Sequence, residues 1–145
     1  MMSLSNTTGH AVRALACLAD IPNPPANIKD IADQAGVPQA YLAKIVKKLN
    51  DSDIVSSKRG SHGGIWLARP AKLISLLDIC VALDGEDFLG SCLLGSGYCA
   101  GKRVCPTQKF WEKNKELIRK ELDRIKLSDV LAHNKSCINH PAHTE

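Results

Sequence analysis

The sequence lacks an apolar run of about 18 residues, the length that a transmembrane helix needs. It shows no basic leader followed by an apolar segment, so neither a membrane span nor a secretory signal is expected, and a cytoplasmic location is predicted. No nucleophile stands beside a base, and no catalytic carboxylate pair or phosphate-binding loop is recognisable. The sequence therefore predicts a binding protein rather than an enzyme.

Cysteine, in contrast, is frequent, with six among 145 residues. In a reducing compartment, cysteines more often bind metal or carry redox chemistry than form disulfides. Cys92, Cys99 and Cys105 share one short glycine-rich stretch. Thiolates gathered on a flexible loop are typical of soft-metal and iron–sulfur sites. Cys17 and Cys80 lie on apolar helix faces, where a buried structural cysteine is expected.

Positive charge is concentrated in one part of the chain. The formal net charge is +4, yet residues 38–72 contain seven Lys or Arg and two Asp, a local net charge of +5. Basic charge confined to one segment is typical of a surface that binds a polyanion. The alternative is a solvated face that happens to be basic.

The first half of the chain has the pattern of a helix-turn-helix. Helices are predicted over residues 3–19, from the cap at Asn27 to Gly36, and from Pro38 to about residue 50. On the third helix, Lys44 and Lys47 lie opposite the apolar stripe and Lys48 lies on its flank. We expect this helix to enter the major groove, with base contacts from its first residues, Gln39, Ala40 and Tyr41.

Two short apolar segments around a glycine-rich tip predict a β-hairpin wing. The strands are expected over residues 54–57 and 65–68, with the tip between them. Lys58, Arg59 and His62 can reach phosphates or the minor groove from this tip. Gly60 belongs to the same predicted DNA-contacting set, since glycine permits close approach of the backbone. The predicted fold is mainly α-helical with a small β wing.

The second half predicts a long helix that begins at Pro106. Trp111, Ile118 and Ile125 are spaced by seven residues, as in a coiled-coil seam, which predicts a homodimer on palindromic duplex DNA. We therefore divide the chain into a winged helix-turn-helix (1–85), a cysteine loop (86–105), a dimerisation helix with a short terminal helix (106–132) and a disordered tail (133–145).

Residues 3–132 resemble the Rrf2 family of bacterial winged-helix transcription regulators. The matching segments are residues 10–15 and 28–32, Tyr41 with Leu42, the wing from residue 55 to residue 68, and the loop cysteines. In IscR-like and NsrR-like members, three loop cysteines bind a two-iron or four-iron cluster. The resemblance implies that Cys92, Cys99 and Cys105 are the corresponding ligands of an iron–sulfur cluster that modulates operator affinity.

The chain departs from the family pattern at the fourth ligand. One gap between the loop cysteines is a residue longer than in IscR-like members, and Gln108 stands where those members have a histidine. NsrR-like members recruit a carboxylate from the partner subunit, where this chain has Gly9 next to His10. His10 from the partner subunit or an exogenous ligand would complete the site, and the cluster nuclearity stays open.

Other interpretations remain beside the cluster. Three thiolates and a histidine would also bind zinc. A CymR-like regulator would hold no cluster and respond to thiol oxidation or to a partner protein. A metal-carrying assembly protein with a vestigial winged helix is a third alternative, but the localised basic face argues against it. The spacing of Cys137, His140 and His143 also suits a metal, although such tail residues are more often inert.

Overall fold

The computed structural model describes residues 4–90, 92–94 and 105–134. Within these ranges, six α-helices and a two-stranded hairpin confirm the mainly helical winged-helix fold. A 3-10 helix at Ala71–Leu73 follows the hairpin. None of the described helices is both long and apolar enough to cross a membrane. The elements are α1 (Asn6–Ala19), α2 (Ile28–Ala35), α3 (Gln39–Asp51), β1 (Val55–Lys58), β2 (Gly64–Leu67), α4 (Leu76–Asp84), α5 (Gln108–Arg124) and α6 (Leu127–Asn134).

The ends of the first three helices follow from local chemistry. Helix α1 begins at Asn6, three residues after the predicted start, and Ser5 caps it, since the Ser5 hydroxyl accepts a hydrogen bond from the Thr8 amide. Asn27 caps α2 in the same way through the Lys29 amide. Gly36 ends α2 in the left-handed conformation, with φ of 66°, as the sequence predicts. A sharp turn at this glycine brings α3 against α2.

The apolar face of α3 is buried in the core that α1, α2 and α4 share. Its buried residues recur at helical spacing, so the opposite face must point to solvent. Lys44 and Lys47 are exposed on that opposite face, which confirms the predicted orientation. The buried residues of α3 are Leu42, Ile45, Val46 and Leu49.

The wing is attached to the connector between α1 and α2. β1 and β2 pair antiparallel, each displaced by about one residue from the predicted strands. Ala26 forms a bridge with Ile65, with N···O distances of 2.9 and 2.8 Å. A Cβ atom at Gly64 would lie 2.4 Å from the Ala26 carbonyl oxygen, so this close approach requires glycine. The bridge fixes the base of the wing beside α2 and α3.

Helix α4 begins with a capping box. This box lies next to the residues that join α5 to α6. The Ser75 hydroxyl accepts a hydrogen bond from the Asp78 amide, and the Asp78 carboxylate accepts one from the Ser75 amide. On either side, the Leu76 amide donates to the Ile125 carbonyl and the Leu127 amide donates to the Ile74 carbonyl. Leu127 is fully buried. Helix α6 therefore shares the core of the winged helix, although the sequence suggests a separate C-terminal segment.

The predicted seam of α5 needs correction. Trp111 is buried within its own chain, Ile118 lies beside it, and Ile125 follows the helix as its C-cap. The neighbouring stripe is the exposed one, since Phe110 and Leu117 are 60% and 59% exposed. The predicted disordered tail also begins too early, because α6 continues to Asn134. Residues 135–145 lie outside the described residues.

The capping box predicts a measurable contribution of Ser75 to stability. Ser75→Ala removes the cap of α4 and leaves the Asp78 amide without its partner, so the free energy of unfolding should fall by about 1 kcal/mol. Urea denaturation followed by circular dichroism measures this change. Ser61→Ala, at the exposed tip of the wing, is the matched control. Equal stability of the two variants would contradict the assignment of Ser75 as a cap.

Candidate nucleic-acid interface and cysteine site

Helix α3 and the wing enclose an open, basic groove of about 640 Å³. Lys47 faces it from α3, and Lys58, Arg59 and Gly60 face it from the wing. Asn27 and Asn50 add amide groups, and none of the described residues that line the groove is acidic. A groove with this charge and with hydrogen-bonding amides suits a phosphate backbone and the base edges beside it.

Other predicted contact residues lie around this groove. Gln39 and Ala40 are exposed at the start of α3, Lys44 is exposed further along it, and His62 is exposed at the tip of the wing. All four are accessible, and their contacts with DNA stay predictions.

Two predicted DNA contacts are engaged elsewhere in the fold. The Tyr41 hydroxyl is hydrogen-bonded to the Thr7 hydroxyl at 2.6 Å, which ties the start of α3 to α1. The Lys48 ammonium donates to the Leu83 carbonyl at 2.8 Å, which ties α3 to α4. This contact directs the Lys48 ammonium towards α4, and Lys48 is not among the residues that line the groove, so its contact with DNA stays a prediction.

His10 lies beside the recognition helix. Its imidazole contacts the ring of Tyr41 edge-to-face, with centroids 5.7 Å apart, and its Nδ1 is hydrogen-bonded to the Arg13 guanidinium. Desolvation, and then the positive charge of Arg13, lower the pKa of His10. A role as ligand from the partner subunit stays a prediction.

Cys92 and Cys105 line one small cavity, of about 240 Å³, at the start of α5. The Cys105 sulfur is hydrogen-bonded to the Thr107 hydroxyl at 3.1 Å, and this bond lowers the pKa of the Cys105 thiol. A lowered pKa favours the thiolate, the form that binds metal and reacts with oxidants. Cys99, the third predicted ligand, lies outside the described residues.

Helix α5 adds two polar side chains to the same cavity. Gln108, which stands where IscR-like members have a histidine, lines it, and Glu112 lies one turn further along. The Gln108 amide donates to the Glu112 carboxylate at 3.2 Å. Glu112 is a candidate oxygen ligand that the sequence analysis missed, although its spacing of four residues from Gln108 on one helix is a visible signal.

The described side chains do not by themselves complete a metal site. Within residues 4–90, 92–94 and 105–134, no group of three or more His, Cys, Asp or Glu side chains is close enough to hold a metal ion. Cys137, His140 and His143 lie outside the described residues. Cys80 is buried as predicted, and desolvation raises the pKa of its thiol to about 11. Cys17 is half-buried, and desolvation raises its pKa as well.

Comparison with known proteins identifies the family of this chain. A family model described as "Iron-dependent Transcriptional regulator" matches residues 4–133. The chain belongs to the Rrf2 family. A curated relative, "Protein rrf2" from Nitratidesulfovibrio vulgaris, is 29% identical over 113 residues, which cover 78% of this chain and 75% of the relative. The chain is thus a member of a family of transcription regulators.

Solved structures of similar fold include both IscR and CymR proteins. The IscR of T. potens is 26% identical, with a TM-score of 0.73 and coverage of 98% of this chain and 95% of that chain. The oxidized form of Staphylococcus aureus CymR is also 26% identical, with a TM-score of 0.68 and coverage of 90% and 96%. CymR of B. subtilis, a global cysteine regulator, is 22% identical, with a TM-score of 0.75 and coverage of 92% and 98%, and supports the fold alone.

The groove predicts which lysines contribute to the salt dependence of DNA binding. Lys58→Ala should weaken binding and reduce the slope of log K against log salt by about one unit, because one phosphate contact is lost. Arg59→Ala should also weaken binding. Fluorescence anisotropy over a salt series measures both quantities. Lys72→Ala is the control, because Lys72 belongs to the same basic segment but not to the groove lining. A slope for Lys58→Ala equal to that of the control would contradict the placement.

Proposed function

We propose that this protein is a homodimeric transcription regulator whose operator affinity is modulated by an iron–sulfur cluster. In this proposal, Cys92, Cys99 and Cys105 bind the cluster, which has two or four irons. The DNA-binding part of the proposal rests on the basic groove between α3 and the wing. The observation that supports the cluster is the shared cavity of Cys92 and Cys105.

The groove favours double-stranded DNA as the ligand. Its cations come from two elements held in fixed relation, α3 by its buried face and the wing by its bridge to Ala26. A helix with a wing beside it can place one element in the major groove and the other on the backbone or in the minor groove. Gln39 and Ala40 are the candidates for base edges, and Lys44, Lys47, Lys58 and Arg59 for phosphates.

The exposed stripe of α5 supports a twofold dimer. Phe110 and Leu117 are large, apolar and seven residues apart on a helix that is otherwise rich in charge. The same stripe on a second copy of the chain would cover them in an isologous contact. Such a dimer would present two winged helices to the two halves of a palindromic operator.

The donor chemistry at the cysteine cavity fits an iron–sulfur cluster. Two thiols, one with a lowered pKa, face a cavity that also contains a carboxylate from Glu112. Thiolates are the usual cluster ligands, and a bound cluster would supply a redox-active or ligand-sensitive centre. For the fourth ligand we retain His10 of the partner subunit or an exogenous group, and Glu112 adds a candidate from the same subunit.

The position of the cysteine loop suggests how it would affect DNA binding. The loop joins α4, which packs against α3, to α5, which carries the exposed stripe. A change in its conformation would alter the orientation of α5 relative to the winged helix. In a dimer, this orientation sets the separation of the two recognition helices, which couples the cysteines to operator affinity.

A cluster-free regulator controlled by thiol oxidation is the second candidate. The lowered pKa of Cys105 favours it, since thiolates are the reactive form. One of the similar structures is described as an oxidized form of CymR. The two candidates differ in one measurable property, the presence of iron and sulfide in anaerobically purified protein.

The cluster hypothesis predicts three different affinities for one operator. Cluster-loaded protein should differ from apo-protein by about 5–150-fold, the usual range of allosteric couplings. The Cys92→Ala/Cys99→Ala/Cys105→Ala variant should bind as apo-protein does, while the Cys137→Ala control should still respond to cluster loading. Anaerobic anisotropy titrations measure these affinities. Equal affinity of loaded, apo and triple-variant protein would contradict cluster control, even if iron is bound.

The dimer hypothesis predicts the consequence of a charge in the α5 stripe. Leu117→Asp would bury a carboxylate in the contact, so sedimentation should shift towards the monomer and operator binding should be lost. Leu73→Asp is the matched control, because Leu73 is 56% exposed and lies in the 3-10 helix before α4. A Leu117→Asp protein that remains dimeric would place the dimer contact elsewhere.

A further inference from the structure

The side chain of Arg69 joins three elements at the point where the wing ends. Its Nε donates a hydrogen bond to the Asp53 carbonyl at 3.1 Å, and its Nη1 donates one to the Leu73 carbonyl, also at 3.1 Å. Its Nη2 lies 3.7 Å from the Asp78 carboxylate. The planar fork of the guanidinium thus connects the turn before the wing, the 3-10 helix after it and the cap of α4.

The turn that contains Asp53 is itself fixed to the end of the recognition helix. The Asp53 amide donates to the Asn50 carbonyl at 3.2 Å, and the Ile54 amide donates to the Leu49 carbonyl at 2.9 Å. Asp53 has the left-handed conformation, with φ of 55°, in which many helices end. Ile54 and Leu49 are almost completely buried. A hydrogen bond to the Asp53 carbonyl is therefore a hydrogen bond to the C-terminal end of α3.

Asp53 and Arg69 lie opposite each other at the base of the wing. They follow on from the strand pair of Val55 and Leu67, each two residues beyond it. The hydrogen bond between them extends the pairing of the two strands towards α3. Ala26 bridges β2 from its other edge. The attachment through Arg69 thus joins the wing to the end of the recognition helix.

The positive charge of Arg69 is used within the protein. Arg69 contributes to the local net charge of +5 in residues 38–72, but it is not among the residues that line the groove. We propose that Arg69 is a positioning residue that sets the orientation of the wing relative to α3 and thereby places Lys58 and Arg59 on the DNA. This inference rests on the proposed function, since the contacts of Lys58 and Arg59 with phosphates belong to it.

A double-mutant cycle tests this role, because a positioning residue acts through the residues that it positions. When Lys58 and Arg59 are present, Arg69→Met should lower the affinity for DNA by about tenfold, a usual size of coupling within one network. In a Lys58→Ala/Arg59→Ala background, the same substitution should change the affinity by less than about twofold. Arg69→Lys should behave as Arg69→Met does, because an ammonium keeps the charge but lacks the planar fork.

The affinities are measured by fluorescence anisotropy with a labelled duplex that the wild-type protein has selected from random DNA sequences. Lys72→Met is the matched control, because it removes one positive charge from the same basic segment but outside the groove lining. Circular dichroism checks that each variant is folded. If Arg69→Met does not fold, Arg69→Lys is taken through the same cycle.

The outcomes separate this inference from the proposed function. An equal loss of affinity with and without Lys58 and Arg59 would overturn the positioning role, since a direct phosphate contact or a general loss of stability is additive with theirs. Full affinity of the Arg69→Lys protein would also overturn it and would assign the charge of Arg69 to a phosphate. Both results leave DNA binding intact. Absence of duplex binding by the wild-type protein would overturn the inference and the DNA-binding part of the proposed function together.

Discussion

The burial of one face of α3 is the constraint on which the rest of the interface depends. Leu42, Ile45 and Leu49 are almost completely buried, so the helix cannot rotate about its axis without exposing them. This fixes the direction of Lys47 and therefore one wall of the basic groove. The wing supplies the other wall, and its bridge to Ala26 holds that wall in place. Charge placement here is a consequence of apolar packing.

The elements that could be predicted are those with short-range causes. Gly36 ends α2 because the left-handed cap suits glycine, and the Ser75 capping box involves residues three apart. The prediction of which stripe of α5 is exposed was wrong for a different reason. Phe110 with Leu117 and Trp111 with Ile118 are neighbouring pairs at the same spacing, so periodicity cannot choose between them. Trp111 is buried and Ile118 is half-buried, and both line one cavity with Phe88 and Leu93, which are remote in sequence.

The site was predictable in its composition and less so in its geometry. Clustering of the cysteines and the basic segment are visible in the sequence, and the family match over residues 4–133 places the chain among transcription regulators. The engagement of Lys48 by the Leu83 carbonyl was not predictable, since it joins positions 35 residues apart. Glu112 and Thr107 were missed because their relation to Cys105 depends on how the chain enters α5. Local pattern identifies the reactive groups, and tertiary packing decides which of them meet.

The two sides of the cysteine loop are held with different strength, and this difference bears on how a signal would travel. On the α4 side, Cys80 and Leu83 are buried in a core that extends to α3. On the α5 side, Arg119 holds the loop through an exposed ion pair with Glu86 at 2.6 Å and through the ring of Phe88. Exposed ion pairs contribute little, about 0–1 kcal/mol, so α5 itself is held mainly by the buried Trp111 and by the hydrogen bond from the Leu76 amide to the Ile125 carbonyl. In the proposed regulator, a change at the cysteines would act first on this exposed contact and leave the buried packing of α4 and α3 in place. For that reason, we expect control of operator binding to act through the spacing of two recognition helices rather than through distortion of either one.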